Sequence, residues 1–178
     1  MYDAPLYVKE WLCDRRRTGG VTEDDMLIEL ATLADAQEIL DLQTLAYQSE
    51  AAIYGDYSLP PLTQTLDQLR GDFERQVVFK AVEGDRIVGS VRGCLREGTC
   101  HIARLMVHPE WQNRGIGTRL MEAIERHFAA ARRYGLFTGE RSERNLHLYR
   151  KLGYRVLRTE RQTEKVNVVF MEKPSSGT

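Results

Sequence analysis

Residues 101–125 read HIARLMVHPEWQNRGIGTRLMEAIE, and their order decides how the rest of the chain is read. An apolar run, Ile102 to Val107, ends at His108-Pro109 and predicts a strand. Gln112-Asn113-Arg114-Gly115-Ile116-Gly117 then leads into a helix whose apolar residues Leu120, Met121, Ile124 and Phe128 share one face. A strand, a glycine turn and a helix start are the parts of an anion site. Gly115 and Gly117 let the backbone approach a ligand closely. The free N–H groups of the first helical turn and the helix dipole favour negative charge. A P-loop is excluded, because no Gly-x-x-x-x-Gly-Lys-Ser/Thr run exists. A dinucleotide fingerprint is excluded too, because the third glycine is missing.

Working outward, a second pattern lies at Asn145, Tyr149, Gly153 and Tyr154. Asn145 and Tyr149 are four apart, so on a helix an amide and a phenol project into the same cleft. Gly153 stands where a helix would end in a left-handed residue. Together, Gln112-x-x-Gly115-x-Gly117 and Asn145-x-x-x-Tyr149-x-x-x-Gly153-Tyr154 resemble the signatures of the GCN5-related N-acetyltransferases (GNAT). The resemblance covers roughly residues 26–172.

Upstream, Met26 to Thr32 alternates as a strand and a helical pattern runs on from Leu33. A second short helix carrying Leu62, Leu66 and Leu69 follows Pro60-Pro61. Strand patterns at residues 77–82, 87–95 and 99–107 are separated by the turns Glu83-Gly84-Asp85 and Arg96-Glu97-Gly98. Beyond the long helix come a short strand at residues 136–139, the Asn145/Tyr149 helix, and strands near 154–159 and 165–172. The order β-α-α-β-β-β-α-β-α-β-β predicts an α+β fold: a mixed, mostly antiparallel sheet of about seven strands with helices on both faces. Residues 1–25 read as an N-terminal extension with a short docking helix, 26–173 as the domain, and 174–178 as a tail.

The chain has 178 residues, with 25 Lys and Arg against 26 Asp and Glu, a net charge of −1. No basic footprint for nucleic acid stands out; Arg15-Arg16-Arg17 reads as a solvated run. No apolar run reaches the length of a membrane span and no export signal is visible. Cys13, Cys94 and Cys100 are an odd number without metal spacing, which predicts free thiols, a cytoplasmic location and no metal.

The resemblance implies acetyl-CoA as co-substrate, a primary amine as acceptor, and direct attack in a ternary complex. It implies that two strands splay apart, residues 102–107 and 136–139, with pantetheine pairing against the first. Cofactor contacts would come from Leu105, Met106, Val107, Gln112, Asn113, Arg114, Gly115, Ile116, Gly117, Thr118, Asn145 and Tyr149. Tyr149 is the candidate general acid, since a phenol is protonated at neutral pH and near enough to a thiol to share its proton. His101 or Glu50 is the candidate base, or ordered water serves instead. Substrate choice falls to Tyr47, Glu50, Tyr54 and Tyr57, whose rings and carboxylate suit a cationic amine. The alternatives are a non-catalytic acyl-CoA-sensing module and an enzyme acting on protein N-termini or lysines. The last two strands offer an edge for a homodimer.

Overall fold

The computed structural model describes residues 26–175. The expected docking helix, Cys13, the Arg15–Arg17 run and the last three residues lie outside that range. Along it the chain forms β1 (Leu27–Leu30), α1 (Ala36–Tyr54), α2 (Pro60–Thr63), α3 (Leu66–Phe73), β2 (Val77–Glu83), β3 (Arg86–Arg96) and β4 (Thr99–Val107). It continues with α4 (Ile116–His127), β5 (Arg133–Gly139), α5 (Glu143–Lys151), β6 (Arg155–Arg161) and β7 (Asn167–Pro174). The seven strands make one sheet in the order β1-β2-β3-β4-β5-β7-β6. Only β4 and β5 run parallel. The α+β class, the seven strands and the antiparallel bias are as the sequence predicts.

Helices cover both faces of the sheet. On one, Ile116, Leu120, Met121 and Ile124 of α4 and Leu146 and Tyr149 of α5 pack with Val88, Val91 and Ile102. On the other, Ala36, Ile39 and Leu42 of α1 and Leu69 of α3 pack with Val78, Ile87 and Met106. A small third cluster joins Tyr54, at the end of α1, to Val166 and Val168.

Strand β5 starts three residues earlier than the sequence reading has it, at Arg133, and three other boundaries differ. Leu33–Asp35 is a 3-10 turn, with the Asp35 carboxylate accepting from Thr32 N–H at 2.7 Å, and α1 starts only at Ala36. The single helix expected after Pro60-Pro61 is two pieces. Thr65 restarts the helix by a capping box, its hydroxyl accepting from Gln68 N–H and its own N–H donating to Gln68 Oε1 at 2.8 Å. At the other end, β7 runs one residue into the supposed tail, and Ser175 N–H donates to Arg132 O at 3.1 Å.

Strand β4 carries two irregularities that shape the site. It pairs with β5 only at Thr99–His101 against Arg133–Gly135; beyond that the two strands part. The edge of β4 facing β5 from Ile102 onward therefore has no strand partner, an open template for an extended ligand. β4 is also bulged. Ser90 of β3 faces Met106 and Arg92 faces Ala103, so Arg104 and Leu105 together oppose Val91. Four residues apart, Ile102 and Met106 would share a face of a regular strand; the bulge sends Ile102 to the α4 side and Met106 to the α1 side. Arg104 takes the extra turn at φ 53, in the left-handed region that costs a non-glycine residue about 1–2 kcal/mol.

Cys94 and Cys100 are free thiols. Among the described residues no helix is long and apolar enough to cross a membrane, and no cluster of His, Cys, Asp and Glu is set to hold a metal.

Candidate active site

The parting of β4 and β5 opens two cavities that share a wall. The larger, about 770 Å³, runs from the end of β4 along the start of α4 to α5. The smaller, about 170 Å³, lies between the end of α1, the bulge of β4, and β5 and β7. Tyr47, Glu50, Leu105 and Asn145 line both.

One end of the groove is formed by the Gln112–Thr118 turn. Gly115 caps α4 at φ 76, and Asn113 sits at φ 64. Two left-handed residues so close together turn successive N–H groups toward one side. Among the described residues, none of the N–H groups from Asn113 to Thr118 finds a backbone acceptor; the first helical bond is Arg119 N–H to Gly115 O at 3.1 Å. This is the donor set a pyrophosphate needs. Met106, Val107, Gln112, Asn113, Gly115, Ile116, Gly117 and Thr118 all line the groove.

Two predicted contacts behave differently. The Gln112 side chain donates to Val107 O at 3.2 Å, so it ties the turn to the strand end. Arg114 is exposed and outside the groove lining, its guanidinium 5.9 Å from the Trp111 ring centre. Positive charge in the groove comes instead from Arg141, Arg144 and Lys151. The sequence did carry a signal for them: Arg144, His147 and Lys151 recur at helical spacing on the α5 face beside Asn145.

Glu50 sits where the cavities meet, held by donors from the far wall. Ser142 Oγ donates to its Oε2 in a short hydrogen bond, and Asn145 Nδ2 lies 3.5 Å from its Oε1. Asn145 Nδ2 also donates to Thr138 Oγ1 at 3.3 Å. Asn145 thus links α5, β5 and α1. Tyr54 does the same one turn later, its hydroxyl accepting from Arg141 N–H at 2.7 Å. That contact needs a glycine, because a Cβ on Gly139 would stand 2.3 Å from the Tyr54 hydroxyl oxygen.

Tyr149 lines the inner cavity and not the groove. It is buried, with its ring 6.0 Å from that of Tyr154. Burial raises its phenol above the ordinary value, and the neighbouring Tyr47 and Glu50 raise it further, so it holds its proton. Tyr47 is raised as well, by burial, partly offset by Arg104 and Arg92.

The structure does not bring His101 or Tyr57 to the site. His101 is exposed on the stretch of β4 still paired to β5, and lines neither cavity. Tyr57 is 63% exposed beyond the end of α1, where Gly55 turns the chain away at φ 58.

Sequence reasoning missed a buried polar network that reaches the inner cavity's lining only through Pro61. Arg92, 5% exposed, donates to Asp72 Oδ2 at 2.9 Å and Gln64 Oε1 at 3.1 Å. Gln43, wholly buried, donates to Gln64 Oε1 at 2.9 Å and Pro61 O at 2.8 Å. Burial, with the like charge of Arg104, pushes the Arg92 guanidinium down to about 10, and Asp72 opposes that. The signal was there to read: Arg92 and Arg104 are charged residues inside otherwise apolar strands.

Residues 46–175 match the family model of the acetyltransferase (GNAT) domain, and the chain belongs to that family. Among curated relatives, it is 28% identical over 97 residues to an uncharacterized N-acetyltransferase, YjcF, of Bacillus subtilis, which covers 54% of this chain and 66% of that protein. It is 27% identical over 124 residues to the UPF0157 protein YqkA of the same organism, covering 70% of this chain and 36% of that one. The chain thus spans less than two thirds of the length of either relative. Among solved structures, the PaiA N-acetyltransferase from Thermoplasma acidophilum, in complex with coenzyme A, matches with a TM-score of 0.71 at 16% identity, over 84% of this chain and 99% of that one. At that identity the likeness is one of fold.

Proposed function

We propose that this protein is an acyl-CoA-dependent N-acyltransferase that uses acetyl-CoA and acts on a small primary amine. The observation that carries the reading is the junction at Tyr47, Glu50, Leu105 and Asn145, where the groove meets a smaller pocket. A donor lying in one cavity would present its acyl end to an acceptor held in the other. The coenzyme A bound to the PaiA structure supports the choice of donor. When bound, acetyl-CoA supplies an activated acyl group and a thiol leaving group.

The chain's own residues supply the rest. The N–H groups of Asn113 to Thr118 hold the pyrophosphate, with Arg144 and Lys151 adding charge from α5. The unpaired edge of β4 beyond His101 aligns the extended arm, and its N–H groups polarise the carbonyl under attack. An alkylammonium must lose a proton before it attacks. Glu50, oriented by Ser142 and Asn145, takes that proton. The Tyr149 hydroxyl gives its proton to the departing sulfur. One N–C bond forms and one C–S bond breaks, and exchange with water resets both side chains. The small inner pocket favours a small acceptor over a polypeptide laid across the surface.

The test is thiol release from acetyl-CoA against small amines, amino acids and short peptides, with Tyr149→Phe alongside. The variant should turn over about 100-fold or more slower, the range for a lost general acid, with CoA affinity unchanged. Equal turnover in wild type and variant would remove Tyr149 from the mechanism.

A further inference from the structure

The inner pocket has one group that acetyl transfer does not use. Arg104 projects into it from the bulge of β4. Its Nε is buried without a hydrogen-bond partner. Among the described residues no carboxylate forms an ion pair with it, whereas Arg92 pairs with Asp72 and donates to Gln64. Its guanidinium stands beside the ring of Tyr47, 6.0 Å from Cζ to centroid. A buried N–H donor with no acceptor is costly to keep. The backbone adds to that cost, since Arg104 holds φ 53 to reach this place. A strained residue carrying an unmet donor into a cavity is the condition of a ligand contact.

The pocket is also polar in a definite direction. Glu50 lines both cavities and so stands at the mouth shared with the groove; Arg104 lines only the inner one. Tyr47 lines the pocket with both. An acceptor must put its amine at the mouth, where the acyl group arrives. Whatever else it carries then meets Arg104. The volume, about 170 Å³, is below the ~300–1,000 Å³ of a pocket for a drug-sized ligand. Leu59, Pro60, Pro61 and Phe137 give the pocket apolar walls.

We infer that the acceptor is a small free amino acid, held with its amine at Glu50 and its carboxylate on the guanidinium of Arg104. This deepens the acyltransfer reading and rests on it. A planar carboxylate can take two parallel N–H bonds from Arg104. A polyamine would set a second cation against that arginine. A protein N-terminus would offer it only a neutral peptide group.

The test measures binding, so it does not depend on turnover. The full chain, with and without CoA, is titrated calorimetrically with the standard amino acids, their carboxamides, and the amines left after removing the carboxyl group. At least one amino acid should bind about 10- to 100-fold tighter than both its amide and its amine, the range for hydrogen bonds to a charged group. Arg104→Gln should abolish that preference, and Arg104→Lys, which keeps the charge but not the fork, should retain part of it. Glu50→Gln should weaken acid, amide and amine alike. Amides or amines binding as well as the acids would overturn the inference. So would a carboxylate preference that survives in Arg104→Gln, or no amino acid binding at millimolar concentration. Carboxylate-dependent binding in a protein that fails to bind CoA would instead refute the acyltransfer reading and leave the amino acid pocket standing.

Discussion

Replacing Gly139 by alanine tests how tightly the far wall of the pocket is built. The new Cβ would lie 2.3 Å from the Tyr54 hydroxyl oxygen, 2.8 Å from its Cζ and 2.9 Å from Ser142 Oγ. None of these atoms is free to retreat. Tyr54 is 7% exposed and Ser142 is 2% exposed. Overpacking of this kind costs about 1–3 kcal/mol. Displacing Tyr54 also breaks its bond from Arg141 N–H, now 2.7 Å long, which adds about 1 kcal/mol. The sum, about 2–4 kcal/mol, corresponds to a fall in Tm of roughly 4–16 °C for a chain of this size. Urea denaturation of Gly139→Ala, Tyr54→Phe and the double variant measures it. Tyr54→Phe alone should cost about 1 kcal/mol. The double variant should be more stable than the sum of the single effects implies, by at least 0.5 kcal/mol, because phenylalanine removes the closest clash. Strict additivity, or a Gly139→Ala protein within about 0.5 kcal/mol of wild type, would refute the reasoning.

Other perturbations have equally definite outcomes. Asp72→Ala leaves Arg92 buried without its carboxylate and should destabilise by about 3–5 kcal/mol, read by denaturant titration; a smaller loss than 1 kcal/mol would mean that Gln64 alone satisfies the arginine. Stability should fall on the alkaline side. Burial holds Tyr149 and Tyr154 above the ordinary tyrosine value, helped for Tyr154 by the Glu125 carboxylate, and pushes the Cys100 thiol up to about 12. The folded state therefore keeps these protons longer than the unfolded chain does. Their contribution is complete below about pH 8.5 and is lost as pH climbs past the unfolded values of ~8.5 and ~10 toward the folded ones. Unfolding free energies measured between pH 8 and 11 should decline, and less steeply in Cys100→Ala. Stability constant over that range would contradict the burial of all three groups.

The parts of this fold that were legible in the sequence are those with local causes. The limits of β4 follow from Arg96-Glu97-Gly98 before it and His108-Pro109 after it. The Asn145/Tyr149 helix and its end follow from four-residue spacing and from Gly153, which takes φ 92. What escaped had tertiary causes. The bulge at Arg104 arises where β4 meets β3 out of step, so nothing within β4 announces it, and strict alternation gives the wrong face for Met106. The parting of β4 from β5 came from the family resemblance, since pairing range is not written in either strand. Tyr57 read as a pocket residue because it follows Tyr54 closely, but Gly55 ends α1 in a left-handed turn and separates them. His101 is a candidate base only through the resemblance, yet on a strand still paired on both edges its side chain lines neither cavity.

The central claim is that the groove beside the Gln112–Thr118 turn holds a CoA thioester, and calorimetric titration of CoA into wild type and Gly115→Val tests it most directly. Gly115 caps α4 at φ 76, a conformation a β-branched residue resists, so the variant should lose the ordered N–H groups proposed to grip the pyrophosphate. The account predicts saturable one-to-one binding by wild type and affinity at least tenfold weaker in the variant, about 1.4 kcal/mol. No binding by wild type, or equal affinity in Gly115→Val, would contradict it.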